Sequence, residues 1–213
     1  MFKTKTIREP KPDRREAFQA AASELDATFV QGKRSSSDEI HLEHGPWKVI
    51  LDTYVVSTGQ TTITYTRAQA LYVAREDFTF RVTKRNFFTR IAEIFGFYGL
   101  LVGDQELERK YKVKSSNNPR GRSLMMDRRL RELILVQPSL QLDIRRLSWG
   151  KRRKKGEGVR RVTVVTTGVI KDADRLANYV RLVAATLDQL VRIGVAHQEP
   201  VLENRTYTLS RRV

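Results

Sequence analysis

The three histidines are the first residues to test for chemistry. His41 and His44 flank Glu43 in the run His41-Leu42-Glu43-His44. A zinc protease carries H-E-x-x-H or H-x-x-E-H on one helix face, and this run is neither. On a strand, a separation of three sends the two imidazoles to opposite faces. The run Gln31-Gly32-Lys33-Arg34-Ser35 ends like a phosphate-binding loop but lacks the first glycine at the required distance. No G-x-S-x-G elbow occurs. Asp104, Glu106 and Glu108 gather acid, yet Arg109 and Lys110 stand beside them and predict ordinary surface pairing. Cysteine is absent, which removes disulfides, thiolate zinc sites and a cysteine nucleophile. The residues therefore assign no catalytic group, no metal ligand and no cofactor, and a non-enzymatic protein is expected.

The chemistry that the sequence does concentrate is positive charge. Forty Lys and Arg face 24 Asp and Glu, a formal net of +16. That exceeds what solubility requires and predicts an anionic partner. Half of the net lies between Arg145 and Arg161. There Arg145, Arg146, Lys151, Arg152, Arg153, Lys154, Lys155, Arg160 and Arg161 oppose the single Glu157. Gly150, Gly156 and Gly158 loosen this segment, and Trp149 sits at its base, suited to stack on a base, enter a lipid interface or dock on a protein. Five consecutive like charges repel, so a long hairpin tip of this kind is expected to lie against an anion. Lys3, Lys5 and Arg8 of the N-terminal arm join the predicted anion-binding set, with Lys11, Arg14 and Arg15 following. Arg120, Arg122, Arg128, Arg129 and Arg131 form a third basic group.

These groups require a scaffold. Pro10 and Pro12 mark residues 1–12 as an extended basic arm. Asp13 and Glu16 have capping-box spacing at the start of a helix bearing Phe18, Ala21, Ala22 and Leu25. Residues 47–56, 61–73 and 78–83 read as strands, with Thr58-Gly59-Gln60 as a hairpin turn. Asn86 opens a short helix, and the segment 87–102 is rich in apolar side chains. Phe87, Phe88, Phe95 and Phe97 within it suit either an interfacial membrane element or a core helix covering the sheet. The need to cover one sheet face favours the core. Leu107 to Val113 reads as a strand, residues 117–121 as a loop, and Ser123 as the start of a helix closed by Pro138. Leu140, Leu142 and Ile144 alternate in one strand, and residues 162–170 form the next. Asp172 caps a long last helix whose apolar seam, Leu176 to Val191, ends at Gly194. The order predicts an α+β fold: an antiparallel sheet covered by helices, with a long C-terminal helix. One domain is expected over residues 13–194, carrying the basic hairpin loop 145–161 and followed by a polar tail, 195–213.

The run Gly103-Asp104-Gln105-Glu106-Leu107-Glu108-Arg109-Lys110-Tyr111 resembles the G-D-x-x-F-D-x-x-F motif of an uncharacterised bacterial protein family, with Leu107 for Phe, Glu108 for Asp and Tyr111 for Phe. The resemblance extends over residues 15–147. It implies a bacterial origin and supplies no catalytic residue. Relatives in that family look membrane-associated through spans of their own. This sequence has no apolar stretch long enough to span and no signal-peptide pattern. The expected function is therefore a basic peripheral protein that binds an anionic membrane surface or an acidic protein partner within a larger assembly. It would reside in the cytoplasm or at the inner face of the membrane. The alternative is a nucleic-acid (RNA or DNA) binding protein, with an enzyme on an anionic substrate ranked behind both.

Overall fold

The computed structural model describes residues 13–33, 37–85, 99–147, 156 and 158–202. Eight strands form one antiparallel sheet: β1 (Thr28–Val30), β2 (Glu39–His44), β3 (Trp47–Ser57), β4 (Thr62–Val73), β5 (Phe80–Lys84), β6 (Tyr111–Ser115), β7 (Gln141–Arg146) and β8 (Val159–Thr167). Their spatial order is β1-β2-β3-β4-β8-β7-β5-β6. The first four strands are a meander. The later strands attach to it through the β4–β8 seam, where Ala68 faces Val164 and Leu71 faces Arg161.

Five described helices accompany the sheet: α1 (Arg14–Glu24), α2 (Gln105–Lys110), α3 (Asn118–Met125), α4 (Arg128–Leu135) and α5 (Ala173–Arg192). The α+β fold and the long C-terminal helix stand as the sequence predicts. Asp13 and Glu16 make the expected capping box, and Asp172 caps α5. Period-two alternation places Val49, Leu51, Ala68, Ala70, Val162, Val164, Leu142 and Ile144 on one sheet face, all buried. α5 packs on β3, β4 and β8 and is itself met by α1, α3 and α4. Its Leu176, Val180, Val183, Leu187 and Leu190 belong to the same core as those strand residues.

Two expectations change. The motif segment is not one strand: Gln105–Lys110 is a turn and a half of helix, and the strand begins at Tyr111. Asp104 caps that helix by accepting from the Leu107 amide. Leu107 and Tyr111, four apart, both drop into the core. The expected single helix from Ser123 to Pro138 is two helices. The first opens earlier, at Asn118, with Asn117 as cap and Pro119 in its first turn; the second is capped by Asp127. The expected helix from Asn86, with Phe87, Phe88, Phe95 and Phe97, lies outside the described residues.

Gly121 shows how tightly α3 sits on β6. A Cβ there would stand 2.7 Å from a Leu100 methyl and from Ser115 Oγ. In an open helix, Gly→Ala gains up to about 1 kcal/mol. Here the sign reverses: Gly121→Ala is expected to lower stability by roughly 1–3 kcal/mol, because neighbours must move. Urea unfolding checks it through the transition midpoint, and a stabilised variant would contradict the close approach.

Candidate anion-binding site

Period-two alternation carries polar side chains to the second sheet face. One row crosses seven strands through paired residues: His41, Ile50, Gln69, Thr163, Asp143, Arg81 and Lys114. A neighbouring row runs Leu71, Arg161, Arg145. A third contains Asp52, Arg67 and Val165. Arg67 donates to Asp52 through Nε at 2.9 Å and a second nitrogen, a bidentate pair, and its guanidinium lies 4.5 Å over the Tyr54 ring. Tyr54 stacks in turn on Tyr65, with centroids 5.2 Å apart.

Two carboxylates organise the cations of β7 and β8. Asp143, buried on the second face, accepts from Arg81 Nε at 2.6 Å and from the Gln141 amide, and Arg145 stands 3.9 Å away. Asp77, in the β4–β5 connection, accepts from Arg146 and from Arg160 Nη2 at 3.0 Å. Arg160 is 1% exposed. It faces inward as part of the fold, so it is withdrawn from the anion-binding set. Arg146 is half exposed but already shares Asp77.

The next residue, Arg161, faces the other way. Its cross-strand neighbour is Arg145. Among the described residues its side chain makes one hydrogen bond, to Gln69 Oε1 at 3.5 Å, and its Nε is enclosed without an acceptor. Among the described residues no carboxylate lies within ion-pair distance of it. Burial, followed by the charges of Arg145 and Arg67, pulls its proton affinity below the ordinary arginine range. Beside it is a groove of about 480 Å³ whose lining includes Ile50, Gln69, Leu71, Leu147 and Val201.

The remaining predicted residues divide. Trp149, Lys151, Arg152, Arg153, Lys154, Lys155, Lys3, Lys5 and Arg8 lie outside the described residues, as do Phe87, Phe88, Phe95 and Phe97. Arg14 and Arg15, next to the arm, both pair with Asp38. In the third basic group, Arg120 donates to the Ile193 carbonyl at the C-terminus of α5, Arg122 to the Leu101 carbonyl, and Arg131 to the Met125 carbonyl. Arg128 pairs with Glu132. These four serve helix ends and loops. His41 meets Glu39 at 2.6 Å and His44 meets Asp188 at 2.8 Å, on opposite sides of β2. The sequence reading missed Arg67 and Arg81. Their signal was alternation within β4 and β5 opposite Asp52 and Asp143, visible only once strand register is known.

The motif around Gly103 builds structure. Glu108 accepts from the Val102 and Gly103 amides at 2.8 and 2.9 Å, and Arg131 reaches Asp104 at 3.4 Å. The Tyr111 hydroxyl donates to the Gln137 carbonyl at 3.1 Å, beyond the end of α4, while burial and then Tyr179 push its phenol up to about 12. Comparison of the chain with protein-family models, with curated proteins and with solved structures found no match.

Asp77 fixes the base of the basic hairpin by neutralising a buried guanidinium. Asp77→Ala is expected to cost roughly 2–4 kcal/mol, because Arg160 keeps its burial and loses its carboxylate. Thermal unfolding of this variant and of the Asp77→Ala/Arg160→Met pair tests it. The double variant should recover much of the loss, and an additive result would remove the coupling.

Proposed function

We propose that this protein is a non-enzymatic module that attaches to an anionic surface, of a membrane or an acidic assembly, through the second sheet face and the basic hairpin. The observation that carries this reading is the Arg145–Arg161 pair. Strand register holds two like charges side by side on one face. Like charges directly opposite are destabilising. Asp143 attends chiefly to Arg81, at 2.6 Å against 3.9 Å for Arg145, so the pair is under-neutralised. In sequence, β7 and β8 flank the segment that holds Lys151 to Lys155. Lys114 and Arg81 continue the basic face toward the β6 edge. Among the described residues no helix is long and apolar enough to cross a membrane, which is compatible with attachment from one side.

Nucleic acid is the second reading. The Tyr54–Tyr65 stack and Arg67 on the same face favour it, since aromatic and guanidinium planes are what unstacked bases settle on.

Vesicle flotation in a salt series separates the two. Each Lys or Arg at an anionic bilayer contributes about 1 kcal/mol, screened within a Debye length. Replacing Lys151, Arg152, Arg153, Lys154 and Lys155 together by Gln is expected to weaken binding to phosphatidylglycerol vesicles on the order of 100-fold or more. Binding should also fall steeply as salt rises. Indifference to anionic vesicles, with RNA retained until nuclease treatment, would replace the first reading by the second. Indifference to both would remove the membrane and nucleic-acid versions together and leave only the acidic assembly.

A further inference from the structure

We infer that the groove beside Arg161 is a binding site for the head of an anionic amphiphile: one phosphate or carboxylate on the Arg161 guanidinium, with the first carbons of its apolar chain along Leu71, Leu147 and Val201. This deepens the attachment reading and rests on it for the membrane as source.

The polar half of the site is an arginine with more donors than acceptors. A guanidinium presents five N–H groups in a planar fork suited to two oxygens of one anion. Arg161 satisfies one of them, at the long limit of 3.5 Å, and its Nε is shut away unpaired. Partly burying a cation without an acid in ion-pair contact is unfavourable; Arg145 and Arg67 increase the cost, and Asp143 offsets only part of it from a distance. Arg160 beside it shows the contrast: the same strand supplies a fully enclosed arginine with Asp77.

The apolar half lies on the same face. Val73, Leu147 and Val159 form a small cluster separate from the main core, with Leu71 and Val201 packed on it. Leu71 is the direct cross-strand partner of Arg161. The groove of about 480 Å³ is therefore lined by hydrocarbon and by a cation together. Its size is in the usual range for a small-ligand pocket, roughly 300–1,000 Å³. Glu43 and Lys48 stand on its lining as well, paired across β2 and β3. Inorganic anions would use only the polar half; an amphiphile uses both halves.

The test is calorimetric titration of the full chain with dihexanoyl phosphatidate below its micelle-forming concentration, with dihexanoyl phosphatidylcholine and inorganic phosphate as controls. Phosphatidate is expected to bind at least about tenfold more tightly than either control, a difference of about 1.4 kcal/mol. Arg161→Gln is expected to lose that binding at least tenfold while its melting temperature stays level or rises, since an unneutralised charge leaves the fold. Leu71→Asp, which sets a carboxylate across from Arg161 and removes the apolar side chain from the groove, is expected to abolish binding. Absence of phosphatidate binding by the parent chain overturns the inference. So does equal binding by Arg161→Gln, or equal affinity for inorganic phosphate. A marked loss of melting temperature in Arg161→Gln would overturn it too, by showing that the residue serves the fold. The five-fold Gln variant of residues 151–155 separates this site from the attachment reading, because it should lose vesicles yet keep monomeric phosphatidate. Parent protein that takes monomeric phosphatidate but ignores anionic vesicles upholds the groove as a site for a free amphiphile and ends the membrane reading alone.

Discussion

An arginine enclosed beneath a sheet must be given a carboxylate, and the surroundings of β8 follow from that requirement. Arg160 is buried on the helix-facing side of the sheet and Asp77 meets it from the β4–β5 connection. The same carboxylate takes Arg146 from β7, so one acid fixes the ends of both strands of the basic hairpin. Because side chains alternate along a strand, anchoring Arg160 inward commits Arg161 to the opposite face. There the neighbours are Arg145, Leu71 and Gln69 instead of an acid. The neutralised arginine secures the fold, and the one beside it is left with charge to spend on something outside the chain.

The second face repeats that contrast over a larger area. Asp52 and Asp143 are both largely enclosed, and each holds an arginine from the adjacent strand. These pairs are short cross-strand contacts of the kind that fix register. They leave Lys114, Arg145 and Arg161 as the cations less completely matched by acid. Of the two pairs only Asp143–Arg81 lies between unmatched cations, separating Lys114 on β6 from the adjacent Arg145 and Arg161 on β7 and β8.

Much of the scaffold was legible because caps and periodicity are local signals. Asp13 with Glu16, Asp172, and Gly194 after the long apolar seam each mark a helix end that the structure has in place. The motif helix was less legible because six residues are too few to separate a helical period from a strand's. Leu107 and Tyr111 fit both readings until the Asp104 cap is seen. The break between α3 and α4 was hidden by continuous apolar spacing, Leu124 and Met125 to Leu130 and Ile134, although Asp127 was the cap that announced it. At the candidate site, composition located the charge around residues 145–161 but not its direction. Whether Arg160 or Arg161 points inward depends on the register with β4, set by residues some ninety positions away. Arg67 and Arg81 were missed for the same reason, since each acquires meaning from a carboxylate on another strand.

The β4–β8 seam also has a history in time. Thr66 donates to the Gly168 carbonyl across 102 residues of chain, and the ladder beside it joins the meander to everything that follows. During synthesis the β1–β4 meander emerges first, and the inner edge of β4 has no partner until β8 has been made. An unpaired strand edge is a template for another chain, and contacts of such long sequence separation form slowly. Midway along that edge β4 carries Arg67 and Gln69 on one side and Ala68 and Ala70 on the other. Small side chains give α5 room to settle against the sheet, and they also give a stray strand little apolar surface to grip. The same choice of residues thus serves the finished packing and guards the nascent chain while it waits for its second half.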